Sequence, residues 1–187
     1  EKNSKNEVEK CKKVIMYMNP AYAEVSSGGE KGKKGVNQSK THTKYSKALG
    51  GAGRELFAQF LIRIYSEIKC CLIGEFSTLK TFNGSAFENF RINFKATFES
   101  GFIAPAYTFD NVQGKFPIGF LFWKLDNKEV INSVSVDVYE EDGSFSQSKN
   151  FFVIEKDKYF INWFRPYIDR KELQLGSLHI HSNDIQQ

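Results

Sequence analysis

Four consecutive residues, Asn19-Pro20-Ala21-Tyr22, combine an amide, a proline and an aromatic ring. They follow directly after an apolar run, Val14–Met18, of the kind that forms strands buried on both faces of a sheet. In open α/β sheets, ligands bind at the carboxyl ends of the strands, which is where these four residues would lie. The amide and the proline carbonyl offer hydrogen-bond acceptors, and the tyrosine ring can stack on a planar ligand. The same tetrapeptide also fits a simple turn, so the surrounding sequence must decide between the two interpretations.

The tetrapeptide and its surroundings resemble the amino-group DNA methyltransferases, whose catalytic motif is usually written Asn-Pro-Pro-Tyr. The apolar strand before the motif and the basic segment after it are part of this resemblance. So are three later segments: Glu55–Tyr65 (ELFAQFLIRIY), Cys70–Phe76 (CCLIGEF) and Thr108–Trp123 (TFDNVQGKFPIGFLFW). Together they are similar to the catalytic half of adenine-N6 methyltransferases, and most of all to that of large bacterial restriction–modification enzymes. The resemblance covers roughly residues 12–125.

The resemblance implies a role for each motif residue. The side-chain oxygen of Asn19 and the backbone carbonyl of Pro20 would accept hydrogen bonds from the N6 amino group of adenine. These bonds would localise the nitrogen lone pair, so that no strong general base is needed. Tyr22 would stack on the adenine after it has rotated out of the duplex, and Phe116 would cover the second face of the base. The methyl group would come from S-adenosylmethionine.

The basic charge is concentrated in the first part of the chain. Residues 1–54 carry 12 Lys or Arg and 5 Asp or Glu, a net charge of +7, while residues 55–187 carry 14 and 17, a net charge of −3. The segment 26–53 is rich in Gly, Ser and Lys and is predicted to be a flexible basic loop. Such a loop suits the phosphates of double-stranded DNA, the expected partner. The predicted phosphate contacts are Lys31, Lys33, Lys34, Lys40 and Lys44.

Two departures from the family pattern affect the expected activity. Ala21 stands where the motif usually has a second Pro, which retains both acceptors but relaxes the backbone between them and the ring. The chain also has no apolar strand followed by a Gly-rich turn that could bind S-adenosylmethionine. Gly51-Ala52-Gly53 follows a polar segment and is predicted to be a flexible lead into the next helix. We therefore expect the cofactor site to lie mostly outside this chain, in the remainder of a longer protein.

Three functions remain open at this point. The first is methylation of adenine N6 in DNA within a restriction–modification system, with the activity of the isolated chain in doubt. The second is methylation of a glutamine side chain or of an RNA amino group, because these substrates also present a conjugated NH₂. The third is a catalytically inactive, methyltransferase-like module that binds DNA, which Ala21 and the missing Gly-rich turn would both suit.

The order of elements predicts an α/β fold that forms the C-terminal half of a Rossmann-like methyltransferase sheet and ends in an antiparallel hairpin. A helix is expected over 54–69, and Ser85 with Glu88 could form the capping box of another. Residues 1–127 are assigned to the catalytic half. Residues 128–187 are assigned to a small α+β extension that leads toward a recognition region.

Composition excludes several classes of protein. With 41% hydrophobic and 26% charged residues, the 187-residue chain can form a packed core, and no apolar run is long enough to cross a membrane. Only three cysteines are present, which suits a reducing compartment, so we expect a cytoplasmic protein. His179 and His181 have no Cys or carboxylate at ligand spacing, and no metal site is predicted.

Overall fold

A computed structural model describes six stretches of the chain. The described residues are 14–20, 39–68, 71–109, 116–125, 130–153 and 165–167. Six strands are described, namely β1 (Val14–Met18), β2 (Cys71–Thr78), β3 (Thr97–Pro105), β4 (Pro117–Lys124), β5 (Ser133–Tyr139) and β6 (Phe145–Phe152). The α-helices are α1 (Lys40–Leu49), α2 (Leu56–Glu67), α3 (Lys80–Asn83) and α4 (Glu88–Asn93), and shorter 3₁₀ turns are Gly50–Arg54, Ser85–Phe87, Ala106–Thr108 and Arg165–Tyr167.

All six strands belong to one mixed sheet with the spatial order β1-β2-β4-β3-β5-β6. The pairs β1–β2 and β3–β5 are parallel, whereas β4 runs antiparallel to both of its neighbours and β6 runs antiparallel to β5. The carboxyl ends of β1, β2, β3 and β5 therefore lie at one edge of the sheet, where β4 and β6 begin. This arrangement of a mixed sheet with helices confirms the expected α/β class.

The hydrophobic core lies between the helices and one face of the sheet, which we call the helix-covered face. Trp123 of β4 is fully buried there, and its ring contacts Phe82, Phe94 and Phe98 at centroid distances of 5.3 to 5.8 Å. Helix α2 contributes its apolar side to the same core, as its spacing predicted, and spans Leu56–Glu67 within the expected range. The sequence pattern was therefore sufficient to identify this helix and its buried side.

The predicted flexible loop over 26–53 differs from the structure in its second half. Lys40–Leu49 is helical, and Gly50–Arg54 continues as a 3₁₀ turn. Ser39 caps the helix: its hydroxyl accepts the backbone N–H of His42 at 2.9 Å and donates to the side-chain oxygen of Gln59 at 2.5 Å. Gln59 in turn donates to the carbonyl oxygen of Gly53 at 2.7 Å, so one buried glutamine of α2 holds both ends of this segment.

Strand β1 also differs from its prediction, because it is not buried on both faces. Val14, Met16 and Met18 pack against the core, but Ile15 and Tyr17 on the opposite face are 72% and 69% exposed. Within the described part of the chain, β1 is an edge strand and no helix covers this second face. The apolar run predicted a strand correctly but did not reveal what surrounds it.

The structure differs from the sequence-based expectations for Ser85 with Glu88 and for the segment after residue 127. Ser85 lies in a 3₁₀ turn, and α4 begins at Glu88 without a side-chain cap, so the expected capping box does not form. The hairpin β5–β6 pairs with β3, which places the predicted boundary after residue 127 inside a continuous sheet. Backbone contacts divide the chain into one compact unit over Glu1–Val153 and another over Ile154–Gln187. The described residues of the second unit form one 3₁₀ turn, Arg165–Tyr167.

No helix among the described residues is both long enough and apolar enough to cross a membrane.

Candidate functional site

The two acceptor residues of the motif directly follow β1 at the carboxyl edge of the sheet. The last residue of β1, Met18, pairs with Glu75 of β2, so Asn19 and Pro20 lie beside the final residues of that strand. Asn19 is exposed and Pro20 is buried. An exposed amide that follows the end of a strand, next to a buried proline, can present its oxygen to a ligand at this edge. Ala21 and Tyr22 lie outside the described residues.

Phe116 lies at the same edge, immediately before β4. Its backbone carbonyl accepts the N–H of Ala106 at 2.9 Å, which ties the start of β4 to the end of β3. The ring is 38% exposed. Strand β4 is the second strand from β1, so the start of β4 is offset from the end of β1 by about 10 Å across the sheet. The sheet thus places Asn19, Pro20 and Phe116 at one edge.

The lysines predicted to contact phosphate have different positions. Lys31, Lys33 and Lys34 lie outside the described residues. Lys40 is exposed in the first turn of α1, whereas Lys44 donates to a carboxylate oxygen of Glu67 at 2.8 Å. Glu67 ends α2 only four residues before β2 begins, so this ion pair lies toward the amino edge of the sheet, away from Asn19. Lys44 thus has a protein partner, and its side chain is also exposed to solvent.

The carboxylate of Glu67 interacts with three side chains. Lys44 and the hydroxyl of Tyr45 both donate to the same oxygen at 2.8 Å, and Arg63 approaches the other at 3.4 Å. The hydrogen bond from Lys44, followed by that from Tyr45, lowers the pKa of Glu67 to about 2. This cluster links α1 to the end of α2, which is a structural role for the described part of the basic segment.

Gly51-Ala52-Gly53, considered in the sequence as a possible cofactor turn, is part of the packing between helices. Ala52 and Gly53 are buried. A side chain at Gly53 would meet the ring of His42, since a Cβ there would lie 2.6 Å from the imidazole Cδ2. The turn follows α1 and no strand, so it does not have the geometry of a nucleotide-binding loop. No group of three or more metal-ligating side chains is found in the described part of the chain.

Sequence reasoning did not identify Glu75, a completely buried carboxyl group on β2 beside Met18. One of its oxygens accepts hydrogen bonds from the Ser77 hydroxyl at 3.1 Å and from the Trp123 indole N–H at 3.3 Å. The other oxygen is buried and has no hydrogen-bond partner among the described residues. Burial raises the pKa of Glu75 to about 8, although the two hydrogen bonds oppose the shift. The carboxyl group of Glu75 is therefore mostly protonated at pH 7. In the sequence, the one signal that could have pointed to this residue is the presence of an acid inside the apolar run CCLIGEF.

Comparisons with known proteins were made for the whole chain. No family model and no curated protein matches it. Among solved structures, it is similar to the type IIL restriction–modification enzyme MmeI in complex with DNA, with 15% identity and a TM-score of 0.48 over 79% of this chain and 19% of that one. It is also similar to DrdV in a complex with DNA, with 13% identity and a TM-score of 0.43 over 68% of this chain and 14% of that one. The chain thus spans less than one fifth of the length of either of these two proteins.

Replacing Glu75 with Gln should change how stability depends on pH. Because folding raises the pKa of this acid from 4.5 to about 8, the native state holds a proton that the unfolded chain releases. The free energy of unfolding of the wild type should therefore fall as the pH rises from about 4.5 to about 8, by about 5 kcal/mol in total. Glu75→Gln keeps the shape without the ionisation and should remove most of that fall. Urea unfolding between pH 5 and pH 9 measures it.

The matched control is Glu99→Gln, which changes an exposed glutamate of β3. Its unfolding free energy should follow the wild type at every pH. If Glu75→Gln and wild type lose stability in parallel between pH 5 and pH 8, Glu75 is not a buried neutral acid.

Proposed function

We propose that this chain is the catalytic half of a methyltransferase that transfers a methyl group from S-adenosylmethionine to adenine N6 in DNA, within a bacterial restriction–modification enzyme. The observation that carries the proposal is the position of Asn19-Pro20. These two acceptors follow the carboxyl end of a strand that is parallel to its neighbour, where α/β proteins bind ligands. The exposed Asn19 and the buried Pro20 suit a turn that is fixed on its protein side and open on its ligand side.

The proposed chemistry requires little from the protein beyond two well-placed acceptors. The exocyclic nitrogen of adenine is a weak nucleophile, because its lone pair is delocalised into the ring. If the amide oxygen of Asn19 and the carbonyl of Pro20 accept its two N–H bonds, the nitrogen becomes more tetrahedral and the lone pair is localised. The acceptors also stabilise the positive charge that develops on the nitrogen. Pro20 has a fixed φ, so its carbonyl direction is set before the substrate binds.

Tyr22 and Phe116 are proposed to hold the flipped adenine from its two faces. The exposure of Phe116 at the same edge as Asn19 is compatible with this role. Lys31, Lys33, Lys34 and Lys40 remain proposed phosphate contacts, since such contacts position the duplex without reading its sequence. Lys44 stays in this group, since its side chain is 60% exposed even though its ammonium donates to Glu67. The substrate is double-stranded DNA.

The S-adenosylmethionine site is proposed to lie in the remainder of a longer protein. The described residues do not fit this cofactor, since none of their strands is followed by a Gly-rich turn. For this chain, the proposal is therefore limited to binding and orienting the adenine that accepts the methyl group.

A second candidate is a catalytically inactive module that binds DNA through the same edge. Ala21 favours it, because the usual motif has a second proline at this position. A third candidate is methylation of a glutamine amide or of an RNA amino group, which present the same conjugated NH₂. The concentration of lysines after the motif favours a nucleic acid over a protein substrate.

Replacing Asn19 with Ala should abolish most of the methyl transfer catalysed by the full-length protein. Loss of one preorganised acceptor at a developing charge lowers rates by roughly 10²- to 10³-fold. The measurement uses radiolabelled S-adenosylmethionine and plasmid DNA, followed by digestion to nucleosides and quantification of N6-methyladenine. Asn93→Ala, an exposed asparagine of α4, is the matched control and should retain full activity. Wild-type protein that forms no N6-methyladenine would favour the inactive module, and labelled RNA or labelled glutamine would identify the third candidate.

Restoring the usual motif through Ala21→Pro should raise the rate of methyl transfer. Proline removes backbone freedom next to the acceptors without changing either of them, a gain of about 0.4–1 kcal/mol where the local conformation permits it. If this gain is expressed at the transition state, the rate rises roughly two- to five-fold. The initial rate of N6-methyladenine formation measures it. A rate equal to that of the wild type would show that stiffness at this position does not limit the reaction.

A further inference from the structure

Glu75 is an acid at a position where the sheet otherwise buries mainly apolar side chains. It is fully buried, and it lies on the helix-covered face together with Cys71, Ile73 and Ser77 of the same strand. One oxygen of its carboxyl group accepts two hydrogen bonds, and the other is buried without a partner among the described residues. A buried polar atom without a partner destabilises a fold and is rare in native proteins. The position therefore calls for an explanation beyond packing.

The two hydrogen bonds to Glu75 do not require an acid. Ser77 and Trp123 donate to the same oxygen, at 3.1 and 3.3 Å. The amide oxygen of a glutamine could accept both of these bonds. What distinguishes an acid from an amide at this position is that the acid can ionise.

The end of β1 is the neighbour of Glu75 that leads into the motif. Met18 pairs with Glu75 in the sheet, and its side chain packs against the core. Asn19 and Pro20 follow Met18 directly, and Pro20 is buried. Strand β1 has five residues and one partner among the described strands, whereas β4, on the other side of β2, has eight residues and a partner on each side. A displacement forced at Glu75 is therefore taken up more readily at the end of β1 than in β4.

The described strands on either side of β2 bring no charge to Glu75. By alternation, β1 and β4 present apolar side chains on this face, namely Val14, Met16, Met18, Leu121 and Trp123. On β2 itself, the other titratable group on this face is the Cys71 thiol, four residues away.

The charged groups of the helices that cover this face have partners of their own. Glu55 pairs with Lys80 at 2.5 Å, and Glu67 pairs with Lys44 at 2.8 Å. The other half-buried titratable side chains of these helices are His42, Tyr45, Tyr65, Glu88 and Arg91. Burial raises the pKa of Glu75 to about 8, and the two groups that oppose the shift are uncharged donors. Among the described residues, a carboxylate at this position would thus have hydrogen bonds but no cation to balance it.

We propose that Glu75 is a positioning residue for the motif: as a neutral acid it keeps the end of β1 packed and Asn19-Pro20 in place, and as a carboxylate it displaces them and weakens their binding of the amino group that accepts the methyl group. This inference rests on the proposed function, in which Asn19 and Pro20 are the two acceptors. A buried carboxylate must be hydrated, and water reaches it only when part of its cover moves. The site is then competent below the pH at which Glu75 ionises and loses activity above it.

Methionine methyl NMR tests this coupling without any enzymatic reaction. The chain has two methionines, Met16 and Met18, and both lie in β1. With ¹³C-methyl methionine, the 187-residue chain should give two signals, which Met16→Leu assigns. The Met18 signal should shift with a midpoint near pH 8, the value to which burial raises the pKa of Glu75. The shift should be absent in Glu75→Gln and unchanged in Glu99→Gln, the matched control at an exposed position of β3.

The Cys71 thiol is the other group on this face whose ionisation could reach β1. Burial raises its pKa above the usual value, so it ionises at higher pH than Glu75. Cys71 pairs with Val14, four residues before Met18, so its ionisation should move the Met16 signal more than the Met18 signal. A Met18 shift that persists in Glu75→Gln and disappears in Cys71→Ala would assign the titration to the thiol and overturn the proposal.

The pH dependence of methyl transfer tests the role of Glu75 in the reaction. The full-length wild-type protein should form N6-methyladenine roughly ten times more slowly at pH 9 than at pH 7, because the neutral fraction of an acid with a pKa of about 8 falls by that factor. The loss should affect kcat more than the KM for DNA, since the two acceptors stabilise charge that develops in the transition state. Glu75→Gln should remove most of the difference between the two pH values, and Glu99→Gln should keep it. Circular dichroism at both pH values checks that each protein is folded.

Two further results would overturn the proposal. One is a Met18 signal that does not change between pH 6 and pH 10, and the other is the same ratio of rates in wild type and in Glu75→Gln. In the second case N6-methyladenine is still formed, so the proposed function stands and this inference alone fails. Absence of N6-methyladenine at every pH, with a Met18 shift that depends on Glu75, would instead refute the proposed function and limit the role of Glu75 to the position of β1.

Discussion

The parallel pairing of β1 with β2 is the constraint on which the rest of the structure depends. Two adjacent parallel strands cannot be joined by a short turn, so the chain must return across the sheet before β2 begins. Helix α2 makes that return and contributes its apolar side to the core. The pairing also fixes the ends: Asn19-Pro20 lies at the carboxyl edge, and the ion pair between Lys44 and Glu67 lies toward the other. The proposed site and the ion pair that links α1 to α2 therefore lie toward opposite ends of the strands.

The sheet buries its two faces unequally. On the helix-covered face, Trp123 and the phenylalanines around it form a dense core, and the protonated Glu75 is included in it at the level of the motif. On the opposite face of the sheet, the rings of Phe76, Phe120 and Phe102 contact one another and are half-buried. A buried carboxyl oxygen with no hydrogen-bond partner among the described residues reduces the stability of the domain.

The sequence predicted the elements whose pattern depends on local periodicity. Helix α2 and strand β1 were identified from apolar spacing, and the position of Asn19-Pro20 at the carboxyl end of β1 followed from that strand. The helix α1 was missed, because its few apolar residues, such as Tyr45 and Leu49, are diluted by lysine, serine and threonine. Its N-cap residue Ser39 also makes a tertiary hydrogen bond to Gln59, which no local pattern reveals. Likewise the exposure of Ile15 and Tyr17 depends on which elements cover β1, and the burial of Glu75 depends on residues distant in sequence.

The most direct test of the account is a calorimetric titration of the purified 187-residue chain with S-adenosylmethionine. In the proposed function, this chain binds the adenine that accepts the methyl group, and most of the cofactor site lies outside the chain. We therefore expect that S-adenosylmethionine does not bind to the folded 187-residue chain and binds measurably to the full-length protein. Binding of S-adenosylmethionine to the isolated chain in the micromolar range would contradict the account, because the chain would then contain a complete cofactor site.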